Sequence, residues 1–390
     1  MVAFVFNIQG VQVEQIQIRI NPDGSITPET SFLVFDGEKY VLAADFSGSL
    51  IIEKRHAVVD GAGHVIQGYG EENGVLIANT SYVTLRNINV KGFTYGIHLK
   101  SSYKCVITGC NTTENGLDGL KLETSYGNFI LKNAITNNGD DGVQLFKSGN
   151  NSVSGNRIFG NDVGIQVNGE KVSSENNTIE GNFIENHWKS IMLGRGSAYT
   201  KVVYNTLKES YSEGDSRGCG LELFKSQGNV IHHNNFIQND NNVLSSSELG
   251  ADVWDDGAEG NYWSNYAGED ADGDGVGDTP HSEYNYYESE TLYFDYPLMS
   301  QINIEGLEFR PPEFQFLEPQ PDAQSSPDPQ IGTQPPSVNE LMWIGLAAEA
   351  FIILALAAGI VIIFKSSRRK KSFAGEECSG SELTRLPDRL

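Results

Sequence analysis

From Gly74 to Leu223 the chain repeats one short pattern: a small residue, an apolar residue, any residue, then another apolar residue. Gly74, Gly96, Gly119, Gly142, Gly164, Ser190 and Gly220 open these phrases, at steps of 22, 23, 23, 22, 26 and 30 residues. Apolar alternation with period two reads as a β-strand, and no i, i+3, i+4 stripe is present. Helical repeats need roughly 33 residues or more, so this shorter period means a solenoid of short strands. Two further apolar groups follow each opening strand; in the third repeat they are Phe129–Leu131 and Ala134–Ile135. Three strands and three turns fill such a coil, and stacked coils form parallel sheets with strands about 4.8 Å apart.

The polar positions carry their own register. One turn column holds Tyr82, Cys105, Asn128, Asn151, Asn177, Thr200 and Asn229; a second holds Asn87, Cys110, Asn133, Asn156, Asn182, Asn205 and Asn234. An amide both donates and accepts hydrogen bonds. Stacked asparagines can therefore bond from coil to coil, as in fibrillar ladders. Cys105 and Cys110 stand in for ladder residues, and a local disulfide between them is an open alternative. The two long steps locate enlarged loops at about 169–176 and 209–219, on the lateral surface where repeat proteins often bind.

The segment Val58–Gly68 looks like a first coil. Asn261–Tyr266, followed by the acidic run Asp270–Asp278, looks like a C-terminal ending. Together with the repeats they resemble the NosD-like family, also grouped as carbohydrate-binding and sugar-hydrolase domains, over roughly Gly24 to Met299. That resemblance implies an all-β, right-handed parallel β-helix of the kind found in archaeal surface proteins with a C-terminal anchor. The family name also suggests copper delivery. Copper sites gather His, Cys and Met, and among the 7 histidines here only His232 and His233 adjoin.

Composition and charge narrow the setting. With 51 acidic against 27 basic residues, no basic stripe exists to meet nucleic acid. The reading divides the chain into N-terminal strands and cap (1–49), β-helix (50–245), C-terminal cap (246–300), proline-rich stalk (301–340), one transmembrane helix (341–364) and a cytoplasmic tail (365–390). Leu341–Phe364 has Glu349 as its one charge and exceeds the ~20 residues that span a bilayer. Lys365, Arg368, Arg369, Lys370 and Lys371 follow, which sets the tail inside and the β-helix outside. Glu349 is expensive in lipid unless neutral, near-interfacial or paired. Export needs a leader, and Ala3–Phe6 is only a fragment of an apolar core, so a signal is expected to lie upstream or to have been removed.

Two constellations could carry chemistry. Asp270, Asp272, Asp274, Gly275 and Asp278 match positions 1, 3, 5, 6 and 9 of a D-x-D-x-D-G loop, with the Val276 carbonyl as a further ligand and His281 where the bidentate Glu usually stands. Such a set suits a structural Ca²⁺. The second is Asp118, Asp140 and Asp141, at the same place in neighbouring coils. Rung-adjacent carboxylates about 5 Å apart push one pKa up and approach the ~5–5.5 Å spacing of a retaining glycosidase. Asn115–Asp118 and Asp140–Asp141 are similar to the first two motifs of polygalacturonases, whose later motifs have no match. His98, Lys100, Lys121 and Lys147 lie near the same face and could supply a base. The expectation is a non-enzymatic, membrane-anchored extracellular β-helix that binds or organises surface carbohydrate, or serves as an envelope scaffold. The alternatives are a polysaccharide lyase, hydrolase or epimerase and, more remotely, a copper-delivery protein.

Overall fold

A computed structural model describes residues 15–170, 172–214, 216–246 and 252–309. The acidic loop and aromatic cap fall within these residues. Most of the stalk, the span 341–364 with Glu349, and the tail 365–390 lie outside them. Among the described residues no helix is long and apolar enough to cross a membrane.

The repeats wind into a right-handed parallel β-helix of about nine turns. Each coil contributes one strand to each of three sheets. The glycine-opened strands stack into the first sheet, from Phe46–Ile52 through Asn73–Ala78 and Asp141–Phe146 to Val243–Ser245. Ile16–Ile20 adds a further parallel strand at its N-terminal end. The second sheet runs from Tyr40–Leu42 to Val230–His232 and the third from Val65–Gln67 to Tyr262–Trp263. Inward positions carry Ile, Leu and Val on every rung, as in Ile97, Leu120, Val143, Ile165 and Ile191, and all five are fully buried. The glycine at each corner leaves room for the third sheet: a Cβ on Gly119 would sit 2.7 Å from Ile135 Cγ2.

Asparagine ladders close the turns. Asn133 Nδ2 donates to Asn156 Oδ1 at 3.0 Å, Asn156 to Asn182 at 2.9 Å, Asn182 to Asn205 at 2.9 Å and Asn205 to Asn234 at 3.0 Å. Each Oδ1 also accepts the backbone N–H of the preceding rung. The other column bonds alike from Asn128 to Asn151 and Asn177. One part of the sequence register is corrected. Val106 pairs Thr84 and Asn111 pairs Asn89, so Val83 and Ile88, not Tyr82 and Asn87, precede Cys105 and Cys110. A 22-residue step shifts the pairing by one, and Tyr82 and Asn87 take left-handed turn conformations instead. Cys105, Cys110 and Cys219 are buried free thiols, so no Cys105–Cys110 disulfide forms. Burial pushes Cys105 and Cys110 up to about 12.

The C-terminal end is sealed by rings. Trp263 stacks on Phe236 at 4.4 Å, on His281 at 4.7 Å and on Phe294 at 4.8 Å. The antiparallel hairpin His281–Asn285 with Glu290–Phe294 supplies the last two of these rings. A solenoid end otherwise exposes its core and unpaired strand edges. The chain then turns back. Ile302 exchanges two hydrogen bonds with the Asn235 side chain, and Phe309 lies on Gly155 and Gly181, in the turns that follow second-sheet strands Ser152–Ser154 and Thr178–Glu180. A Cβ at Gly181 would lie 1.9 Å from Phe309 Cζ, so that glycine seats the returning strap.

Candidate functional site

The outer face of the first sheet collects five buried ionisable groups, His98, Asp118, Asp141, Lys189 and Glu222. Asp118 and Asp141 occupy adjacent rungs, and the Asp141 N–H donates to Asp118 Oδ1 at 3.3 Å. Lys121 Nζ stands 3.4 Å from Asp118 Oδ2 and 4.5 Å over the Tyr95 ring. Gln144 donates to Asp141 Oδ2 at 2.7 Å and Gln166 to Oδ1 at 3.3 Å. Burial raises Asp118 to about 6; Lys121 opposes the rise and Asp140 adds to it. Burial, with Asp118 and Asp140 as neighbours, raises Asp141 well above the carboxylate range. Asp118 and Asp141 are 1% and 0% exposed, whereas Asp140 is half-buried at the rim. The structure thus brings the three sequence-selected aspartates together, with two of them beneath the surface.

One coil earlier, His98 Nδ1 meets Asn73 Oδ1 at 2.9 Å and Nε2 lies 3.3 Å from Glu123 Oε2. Burial lowers His98 to about 4 despite Glu123, so its imidazole is neutral at neutral pH. Lys100 is 3.9 Å from the same Glu123 carboxylate, and Lys147 pairs with Glu170 at 2.8 Å. His98, Lys121, Gln144 and Gln166 form one outward file across four successive rungs. Alternation in Gly-apolar-x-apolar singles out His98 and Lys121 from the sequence, and Gln144 and Gln166 share their outward position in it.

Two further ladders went unread, although their members recur at the same 23- and 26-residue steps as the first. Asn115, Asn138 and Asn161 form a third ladder, at 2.9 Å between neighbouring amides, and His187 continues it by accepting from the Asn161 N–H. Asn115, whose motif is similar to one of polygalacturonases, is therefore a fully engaged ladder residue. Ser102, Ser125, Ser148 and Ser174 make a fourth ladder through their hydroxyls. Further along the face, Lys189 Nζ contacts Glu222 Oε2 at 2.5 Å, and Tyr287 of the hairpin donates to the other Glu222 oxygen. Lys189 and Glu222 are 33 residues apart in sequence and belong to repeats with irregular steps, so no spacing marks them as partners.

In the acidic loop, carboxylate oxygens of Asp270, Asp272 and Asp274 lie within 4.8 Å of one another. Backbone N–H groups, Gly275 foremost, hold Asp270 below its usual pKa. Asp278 Oδ2 accepts the Ala271 N–H at 2.8 Å, and Val276 donates its N–H to Asp274 Oδ1. His281 is buried against Trp263 and bonds Glu283 at 2.7 Å; Glu283 also accepts from Asn242 and Asn265. Both residues near position 12 are thus committed to the cap. His232 and His233 turn their Nδ1 atoms toward each other at 2.6 Å, and His233 Nε2 meets Glu259 at 3.0 Å.

Residues 73–258 match the family model described as a right handed beta helix region. The solved structures it is similar to include the periplasmic alginate epimerase AlgG, at 23% identity over 47% of this chain and 48% of that one, with a TM-score of 0.39. They also include a mannuronan C-5 epimerase A-module from Azotobacter vinelandii, AlgE6, at 12% identity over 58% and 67% with a TM-score of 0.37. Pectate lyase Pel9A matches at 14% identity over 64% of each chain, with a TM-score of 0.35. The chain spans about half the length of AlgG. These likenesses concern the β-helix fold. Comparison with curated proteins finds no match.

Proposed function

We propose that this chain binds polysaccharide along the outer face of the first sheet, with the solenoid held at a cell surface. The observation that carries the reading is the unbroken file His98, Lys121, Gln144 and Gln166, one hydrogen-bonding side chain per rung. Rungs recur every ~4.8 Å, close to the length of one pyranose, so successive sugars would meet equivalent groups. The Gln144 and Gln166 amides and the Lys121 ammonium serve hydroxyls as donors and acceptors, His98 is buried against Asn73 and Glu123 at the head of the file, and Tyr95 and Phe146 flank it with ring faces. Residues 341–364 supply the anchor in this reading, with the tail from Lys365 inside. Nucleic acid has no part in it.

A lyase, hydrolase or epimerase centred on Asp118, Asp140 and Asp141 is the alternative. Its support is the Asp118 carboxyl held near 6, where a general acid serves near neutrality. Against it stands the depth of Asp118 and Asp141, beneath the file that a substrate would touch. Copper delivery has the least support, because the facing Nδ1 atoms of His232 and His233 at 2.6 Å leave no room for an ion between them. Asp270, Asp272 and Asp274, with the Val276 carbonyl and the free oxygen of Asp278, would hold a structural Ca²⁺ that stiffens the cap; the convergence of the first three favours it.

A glycan array probed with the full chain, read for bound protein and for released product, tests the function. Binding without product supports the proposal. Product release that Asp118→Asn abolishes transfers the assignment to the enzyme, and absence of binding overturns it. Protease added to intact cells should remove the β-helix and spare the tail; a protected β-helix would refute the surface setting.

A further inference from the structure

The longest insertion, 209–219, and the C-terminal hairpin meet over the first sheet: Arg217 lies 3.6 Å over the Tyr286 ring. Beside this contact is a cavity of about 460 Å³ whose lining includes Lys189, Met192, Glu222, Phe224, Tyr287 and Glu288. Its size falls within the ~300–1,000 Å³ of small-molecule sites. Met192 and Glu222 continue the outward file, two and three rungs beyond Gln144. The cavity is therefore an open end of the face already described, walled on one side by Tyr287 and Glu288 of the hairpin, which the regular coils lack.

We propose that this cavity binds a neutral hexopyranose unit, a terminal or branch sugar of the polysaccharide; this rests on the reading that the face binds polysaccharide. The charges select the ligand. Lys189 is the single cation of the lining, and its ammonium is already on Glu222 at 2.5 Å and 4.0 Å over the Trp188 ring. Glu222 and Glu288 are two carboxylates. Within the lining a uronate or a phosphate would meet two carboxylates and a cation already paired; Arg217 and Lys225 lie outside it, over the Tyr286 and Phe224 rings. Neutral hydroxyls face no such conflict. They can accept from the remaining ammonium hydrogens of Lys189 and donate to the remaining lone pairs of Glu222. The Lys189–Glu222 pair is almost fully buried, with side chains 6% and 3% exposed, and Tyr287 completes it. The polar groups are thus pre-positioned. Met192, Phe224 and the Tyr287 ring offer apolar surface to the C–H face of a sugar.

Calorimetric titration of the full chain with neutral di- and hexasaccharides of glucose and mannose, and with galacturonate and mannuronate oligomers of equal length, tests this. A neutral disaccharide should saturate one site. Met192→Trp, which fills the cavity, should weaken it at least tenfold without lowering the Tm; Tyr287→Ala should weaken it as much while lowering the Tm, because it strips buried Glu222 of a hydrogen bond. Gln144→Ala with Gln166→Ala should reduce the extra affinity of hexasaccharides and spare disaccharides. Preference for uronates overturns the neutral-sugar assignment and leaves the face reading intact. Neutral binding that is lost in the Gln144 and Gln166 variants and kept in the two cavity variants overturns the cavity site alone. No binding of either class overturns both.

Discussion

The asparagine ladders and the face of the first sheet both keep polar groups from water, and they do it by opposite means. In the ladders each group meets a copy of itself: Asn133, Asn156, Asn182 and Asn205 repeat the same bonds at 2.9–3.0 Å. The groups are neutral, and translation by one coil satisfies each of them. On the face, unlike residues meet. Asp118 sits under Lys121, His98 against Glu123, and Lys189 on Glu222. No repeat generates those pairs, and several titrate far from their ordinary values. Clusters of perturbed groups of this kind mark functional sites more often than scaffold does. The difference separates what holds the solenoid from what it presents.

The largest test removes a charge from the face. Lys189→Met leaves Glu222 buried without its cation and should cost about 3–5 kcal/mol of stability, measured by denaturant unfolding. A change under about 1 kcal/mol would show that the face tolerates loss of charge no worse than an ordinary surface does.

The next test uses a ladder position occupied by a histidine. Burial lowers His187 to about 4 from 6.5. The unfolded chain therefore binds the proton first, and this group's contribution is lost as pH falls from about 6.5 to 4, a loss of about 3 kcal/mol at 1.36 kcal/mol per pH unit. His187→Asn should restore a uniform ladder and flatten that part of the stability–pH curve. Asp118 has the opposite sign. Its folded pKa is raised to about 6, so stability falls as pH rises from about 4 to 6, and Asp118→Asn should stabilise the protein at pH 7. Matching slopes in wild type and His187→Asn would remove the histidine from this account.

A smaller effect is expected from a single ladder rung. Asn156→Leu strands the Asn133 N–H, at roughly 1–3 kcal/mol, and the loss should spread to neighbouring coils because each rung is the next one's partner. Hydrogen exchange that changes only at residue 133 would contradict that coupling.

The smallest effect concerns the acidic loop. Ca²⁺ at tenfold excess over its Kd should add about 1.4 kcal/mol, with slower exchange confined to the cap around Trp263. Asp272→Ala with Asp274→Ala should abolish the gain. An unchanged Tm on chelation would leave the loop a turn held by its own backbone bonds.

Much of this was readable from the chain. The spacing from Gly74 to Gly220 determined a parallel solenoid, because a repeated apolar pattern of that length buries its strands only by stacking. Asn133 to Asn234 were legible as a ladder for the same reason: repetition in sequence becomes translation in space. Alternation marked His98 and Lys121 as outward neighbours, and Gln144 and Gln166 joined their file in the structure. Where one coil changed length the inference slipped by a residue, as at Tyr82 and Asn87, since register is decided by backbone pairing and not by a constant offset. Tertiary structure alone decided the rest. Asp118 and Asp141 sank beneath the surface, and Tyr287 arrived on Glu222 from a hairpin 65 residues away. Burial and the meeting of distant, unlike groups set those outcomes, and neither leaves a period in the sequence.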